Sequence, residues 1–150
     1  MFYKVMNMNK FAHLDYFGVP LNGTLEEFIN ALEEANLYKE SELEKISRQI
    51  HPSVDIHYLV NGILGNAEFL SFVQLNDKGL VRGLIGSNNG KFKLTEIERE
   101  IDTIKNHYGE PTVQRSDYLS WEFKNGRICI IIVPTIGVCI EFTDNINSQL

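Results

Sequence analysis

The dipeptide Asn125-Gly126 constrains this chain more than any other feature in it. An Asn-Gly pair between two alternating apolar runs is the strongest short-range hairpin signal, because both residues accept the positive φ of a mirror-image two-residue turn. The flanking runs are Asp117–Lys124 and Arg127–Val133, and Pro134 to Gly137 then turns the chain into a third run, Val138–Thr143. A loop of Asn125 and Gly126 pairs Lys124 with Arg127, Phe123 with Ile128, Trp121 with Ile130 and Leu119 with Ile132. Side chains alternate across a strand, so Leu119, Trp121, Phe123, Ile128, Ile130 and Ile132 share one face. Matching apolar to apolar adds Val138, Ile140 and Phe142 to it. A face of this kind has to be covered, and a helix is the natural cover. The reverse face holds Tyr118, Ser120, Glu122, Lys124, Arg127, Cys129, Ile131, Val133, Cys139 and Glu141, a mixed surface suited to water or a partner.

Helices are announced upstream. Thr24 followed by Glu27 makes a capping box, and Leu25, Phe28, Ile29, Leu32 and Ala35 recur at helical spacing, which predicts a helix over Leu25–Asn36. Thr95 with Glu98 repeats the box ahead of Ile97, Ile101, Ile104 and Tyr108, with Gly109 and Pro111 as the stop, which predicts a helix over Glu96–Tyr108. A further box, Ser41 with Glu44, precedes Leu43, Ile46 and Ile50, but Pro52 stands close behind and leaves 38–56 open between a short helix and an irregular turn.

Between the helices, His57–Leu64, Ala67–Leu75 and Leu80–Ile85 read as another meander, turned at Gly65-Asn66 and at Asn76 to Gly79, with Ser87 to Gly90 as a closing loop. The expected architecture is α+β. It has two halves, about 17–90 and 91–143, each a helix with a three-strand antiparallel meander, helices packed on one face of the sheet. The match is one of element order, not of residues. Residues 1–150 form a single domain, with 144–150 as a frayed tail.

Composition fits that picture. With 150 residues, 43% hydrophobic and 23% charged, the chain can bury a core without staples. The net charge of −6 argues against a partner with a phosphate backbone, so no nucleic acid is expected. No run approaches the roughly 20 apolar residues of a membrane helix. Met1 to Leu14 has neither an apolar core nor a small-residue cleavage site, which points to the cytoplasm, or to the periplasm or exterior if the chain is a mature form.

Chemistry is poorly marked. There is no G-x-S-x-G, P-loop or G-x-G-x-x-G in context. His51, Asp55 and His57 fall together, but in a Pro-containing connector without ligand spacing, so no metal and no cofactor are expected. His13 and His107 have no sequence neighbour that suggests catalysis. Cys129 and Cys139 sit mid-strand on the reverse face, not directly opposite each other, and read as structural thiols. Trp121 reads as packing. No catalytic residue is assigned.

Phe17-Gly18-Val19-Pro20-Leu21-Asn22-Gly23-Thr24 resembles the opening of a family of small uncharacterised proteins from gut Bacteroidetes, whose members begin F-x-G-I-P before an amphipathic helix. Leu59 to Gly65, Tyr108-Gly109-Glu110-Pro111, Gly126-Arg127-Ile128 and Phe142-Thr143-Asp144-Asn145 are similar to later landmarks of that family. The Tyr-Gly-x-Pro and Trp-x-Phe elements also resemble the beta-lactamase-inhibitor-protein type of fold and the small lipoprotein of the outer-membrane assembly machine. Both are modules that present a sheet to another protein. The resemblance implies no functional residues.

The functional expectation is therefore a non-catalytic interaction module that uses Tyr118, Glu122, Arg127, Ile131 and Glu141 against another protein or a second copy of itself. The alternative is a small-ligand-binding protein or enzyme with a pocket between the two halves.

Overall fold

The computed structural model describes residues 13–40, 42–50, 56–59, 70–76, 78–88, 94–133 and 137–148. The chain opens with a short hairpin, β1 (Asp15–Tyr16) and β2 (Val19–Pro20). Helices α1 (Leu25–Glu34) and α2 (Glu42–Ile50) follow, then strands β3 (Ile56–Tyr58), β4 (Leu70–Leu75) and β5 (Val81–Asn88). Helix α3 (Leu94–Tyr108) leads into β6 (Val113–Gln114), β7 (Tyr118–Phe123), β8 (Gly126–Val133), β9 (Gly137–Asp144) and the short helix α4 (Asn145–Ser148). The fold is α+β. Strands β3 to β9 form one seven-stranded sheet in the order β3-β4-β5-β9-β8-β7-β6, with every pairing antiparallel. The two meanders therefore meet edge to edge through a β5–β9 ladder running from Gly83 with Thr143 to Asn88 with Val138.

The caps behave as their chemistry requires. The Thr24 hydroxyl accepts the Glu27 N–H at 3.3 Å, and the Glu27 carboxylate accepts the Thr24 N–H at 3.3 Å. The helix ends at Glu34, two residues short of the expected Asn36, because Asn36 takes the left-handed conformation, φ 58°. Its N–H bonds the Glu33 carbonyl at 3.0 Å while the Leu37 N–H reaches back to Leu32 at 2.8 Å, a Schellman ending with asparagine in the usual glycine place. Helix α3 starts at Leu94, so Thr95 lies inside the first turn and not at the cap. Leu94 extends the 97, 101, 104, 108 periodicity by one step, which accounts for the earlier start. Gly109 stops the helix at φ 92°, its N–H on the Lys105 carbonyl at 2.8 Å.

One sheet register differs from expectation. Phe123 pairs with Gly126, Trp121 with Ile128 and Leu119 with Ile130, so the loop is Lys124-Asn125 and not Asn125-Gly126. None of Lys124, Asn125 and Gly126 has positive φ, so the mirror-image turn is not formed. Gly126 is used for close approach instead. A Cβ there would overlap the Thr143 carbonyl oxygen and lie 3.0 Å from the Leu14 Cβ. The pairing sum shifts by two residues, which preserves side-chain parity. The expected core face therefore survives intact: Leu119, Trp121, Ile128, Ile130, Val138, Ile140 and Phe142 are buried, with Phe123 and Ile132 packed at its margin. Phe28 and Leu32 of α1 and Ile97 and Ile104 of α3 join these residues in one cluster, so both helices cover the same side of the sheet. The Trp121 indole N–H donates to the Gly109 carbonyl at 2.8 Å, tying the sheet to the end of α3.

Other boundaries move as well. Strand β5 runs through Ser87 and Asn88, where a loop was expected, because both pair with β9. The 38–56 segment contains α2, and Tyr38 bridges Leu59. Gly65-Asn66 lies outside the described residues, as do His51, Pro52, Asp55 and Gly90. The turn after β4 forms as expected: the Asn76 carboxamide oxygen accepts the Lys78 and Leu80 N–H groups, each at 3.0 Å. The first residues of the expected tail, 144–148, lie in β9 and α4. Strand β9 continues to Asp144, which is wholly buried, and the Asn145 N–H donates to the Asn125 carbonyl at 2.8 Å.

Candidate functional site

The reverse face of β7–β9 forms three rows across the strands. Pairing places Tyr118, Ile131 and Cys139 in one row and Ser120, Cys129, Glu141 and Ile85 in the next. A third row holds Glu122, Arg127 and Thr143. All five residues expected to meet a partner, Tyr118, Glu122, Arg127, Ile131 and Glu141, thus lie on one continuous surface. Glu122, Arg127 and Ile131 are exposed, and Tyr118 and Glu141 are half-buried. The middle row is sunk: Ser120 is 1% and Cys129 3% exposed. Glu141 and Ile85 of the same row are half-buried.

Hydrogen bonds brace this surface. The Thr143 hydroxyl donates to Glu141 Oε1 at 2.8 Å, and the Ser120 hydroxyl to Glu122 Oε1 at 3.3 Å. The Glu122 N–H donates to Thr112 Oγ1 at 3.0 Å. Both carboxylates are thereby aimed along the face. Burial, reinforced by the Glu141 charge, pushes the Cys129 thiol up to about 11. The Cys139 thiol is raised for the same two reasons. Both cysteines are free. Neither is a ready nucleophile at neutral pH, since the reactive form is the thiolate.

Three of the histidines have partners that no local pattern reveals. His13 Nδ1 lies 2.9 Å from Asp144 Oδ2, and Asp144 Oδ1 accepts the Leu14 N–H at 2.8 Å. His107 Nε2 is 3.6 Å from Asp15 Oδ2. His57 is buried in β3 with Nδ1 3.3 Å from the Tyr38 hydroxyl. Among the described residues, no group of three or more His, Cys, Asp or Glu is arranged to hold a metal ion.

A second cluster sits at the β1–β2 turn. Phe17 has φ 46° and Gly18 φ 98°, the signature of a mirror-image two-residue turn with a bulky residue in its first place. Three contacts hold Phe17 there. Its N–H donates to the Tyr108 hydroxyl at 2.8 Å, and that hydroxyl donates to the Asp15 carbonyl at 2.7 Å. Its ring packs 5.0 Å from His107 and 5.4 Å from Tyr108, centroid to centroid. The Asp15 carboxylate also accepts the Gly18 N–H at 2.7 Å. Burial, with the Asp15 charge also disfavouring the anion, moves the Tyr108 phenol upward, so it stays a neutral donor–acceptor. Gly18 between two apolar pairs, with Pro20 close behind, is a turn signal, but nothing local marks Tyr108 as the anchor of Phe17.

No protein-family model, no curated protein and no solved structure matches this chain. No helix among the described residues is long and apolar enough to cross a membrane.

Proposed function

We propose that this protein is a non-catalytic interaction module that offers the reverse face of β7–β9 to another protein. The observation that carries this reading is the contrast between the two faces. One is closed by α1 and α3, while the other leaves Ile131 38% and Val133 37% exposed beside Glu122, Arg127 and Tyr118. Apolar residues within a polar rim, with a tyrosine and an arginine at hand, are the composition of a protein-binding patch. Modules of the beta-lactamase-inhibitor type, which the landmarks of this chain resemble, bind through a sheet surface of this sort.

A pocket between the two halves has less support, because the seam between the meanders is a hydrogen-bonded β5–β9 ladder. The test is affinity capture from cells that express the protein, with a photo-crosslinking residue at Ile131 and a control at exposed Glu98. The expected result is a discrete adduct from position 131 and from Val133 but none from position 98, with the Val133 adduct lost in the Tyr118→Ala, Arg127→Glu, Ile131→Glu variant. Equal capture by the variant and the wild type would refute the reading.

A further inference from the structure

We propose that Cys129 and Cys139 together form a two-coordinate site for a soft monovalent cation of the Cu(I) class on the reverse face of the sheet. The register carries the argument. Cys129 pairs with Glu141 and Cys139 with Ile131, so the two cysteines are diagonal neighbours on one face of adjacent strands. Diagonal positions lie about 7–8 Å apart at Cα, with Cβ atoms somewhat nearer. A disulfide needs Cβ atoms about 3.5–4.5 Å apart, which the diagonal does not provide. An ion between two sulfurs has a wider reach: two bonds of about 2.3 Å hold the sulfurs about 4.6 Å apart when collinear. The diagonal thus disfavours the bond between the sulfurs and suits an ion between them. The thiols also sense each other, since charge on Cys139 opposes ionisation of Cys129.

The ligand set selects the ion. No three-ligand group exists among the described residues, which leaves tetrahedral zinc without a home. Two thiolates without nitrogen or oxygen partners favour the softest cations. Cys129 is buried and Cys139 is half-buried, so the ion enters past Cys139. On binding, two S–H bonds break, two metal–sulfur bonds form, both protons go to solvent and no oxidation state changes. The site passes from neutral to one negative charge. Glu141, which pairs with Cys129, opposes that charge, and Arg127, two residues from Cys129 on β8, favours it.

The test is an anaerobic titration of the full chain with Cu(I) against bicinchoninate, read by affinity and by the near-ultraviolet thiolate-to-copper band. The expected stoichiometry is one ion per chain, with affinity rising as pH rises. Cys139→Ser and Cys129→Ser should each weaken binding by more than the roughly 10–100-fold that losing an outer partner of a metal site costs. Glu141→Gln should tighten it. Cys139 is only half-buried, so its serine variant should fold even if the Cys129 variant does not. The methionine thioethers give no thiolate band, and the double serine variant supplies the blank. Three results overturn the proposal: a band in the double variant equal to wild type, a Cys139→Ser variant with unchanged affinity, or half an ion per chain with a doubled mass in light scattering.

Discussion

Replacing Tyr108 with Phe removes one oxygen and keeps the ring, so the aromatic contacts with Phe17 and Phe142 remain. The oxygen accepts the Phe17 N–H at 2.8 Å and donates to the Asp15 carbonyl at 2.7 Å. Leaving a partly buried N–H unpaired costs about 1–3 kcal/mol. Against that stands the left-handed backbone of Phe17, whose release returns about 1–2 kcal/mol if the turn lets go. Release would also detach the Phe17 ring, so the turn should hold and the net loss should be about 2 kcal/mol. At about 2–4 °C per kcal/mol for a chain of this size, Tm falls about 4–8 °C. Amide exchange should show the loss at Phe17 and Gly18 before the sheet.

The same phenol carries a pH signature. Burial raises its folded-state pKa above the unfolded value of about 10. Between the two values the unfolded chain has released a proton that the folded chain keeps. The contribution is therefore fully present below about pH 10 and declines as pH rises beyond it, by up to about 1.4 kcal/mol per pH unit. The Phe variant should lack this part of the alkaline decline. A variant melting within about 1 °C of wild type, with an unchanged alkaline slope, would show that Tyr108 does not anchor the turn.

Three smaller effects are expected. Thr24→Ala removes the hydroxyl arm of the α1 capping box, leaves the Glu27 carboxylate on the backbone N–H of residue 24, and should cost about 1 kcal/mol by denaturant titration; Thr24→Ser should cost much less. Gly126→Ala forces a methyl against the Thr143 carbonyl and Leu14 and should cost about 1–3 kcal/mol or more, with the shift in β8–β9 amide resonances to show where the strain goes. Native-state titration with a disulfide reagent should modify half-buried Cys139 before buried Cys129, whose rate should climb with pH toward its raised pKa of about 11; equal rates at pH 8 would contradict the burial of Cys129.

The sequence is most legible where a local rule and a burial pattern agree. Thr24 and Glu27 have one sensible use, and alternation in Leu119–Phe123 and Ile128–Ile132 specifies which side chains turn inward whatever the loop. Asn125-Gly126 shows the limit of such rules. Its turn preference is real, but the tight contact of Gly126 with Thr143 and Leu14 is a tertiary demand that the local pattern does not carry. The β5–β9 seam escaped for a related reason, since antiparallel runs with 48 residues between them carry no mark of which edges join. The same holds for His13 with Asp144, 131 residues apart. The five surface positions were recoverable because parity alone assigns them to a face. The burial of Ser120 and Cys129 on that same face was not, because parity says nothing of which positions on a face lose contact with water.

The order of the strands has a consequence for how this chain survives in a crowded solution. The run Ile128-Cys129-Ile130-Ile131-Ile132-Val133 has the composition of a fibril-forming segment: β-branched, uncharged and free of proline. In the folded sheet it lies between β7 and β9, with both backbone edges occupied. Among the described residues, the strands at the sheet margins, Ile56–Tyr58 and Val113–Gln114, give a neighbouring molecule little ladder to extend. Protection therefore depends on the last strand arriving. A chain truncated before Gly137, or a ribosome stalled there, would present the isoleucine run as an open template, and self-association of such fragments should far exceed that of the complete protein.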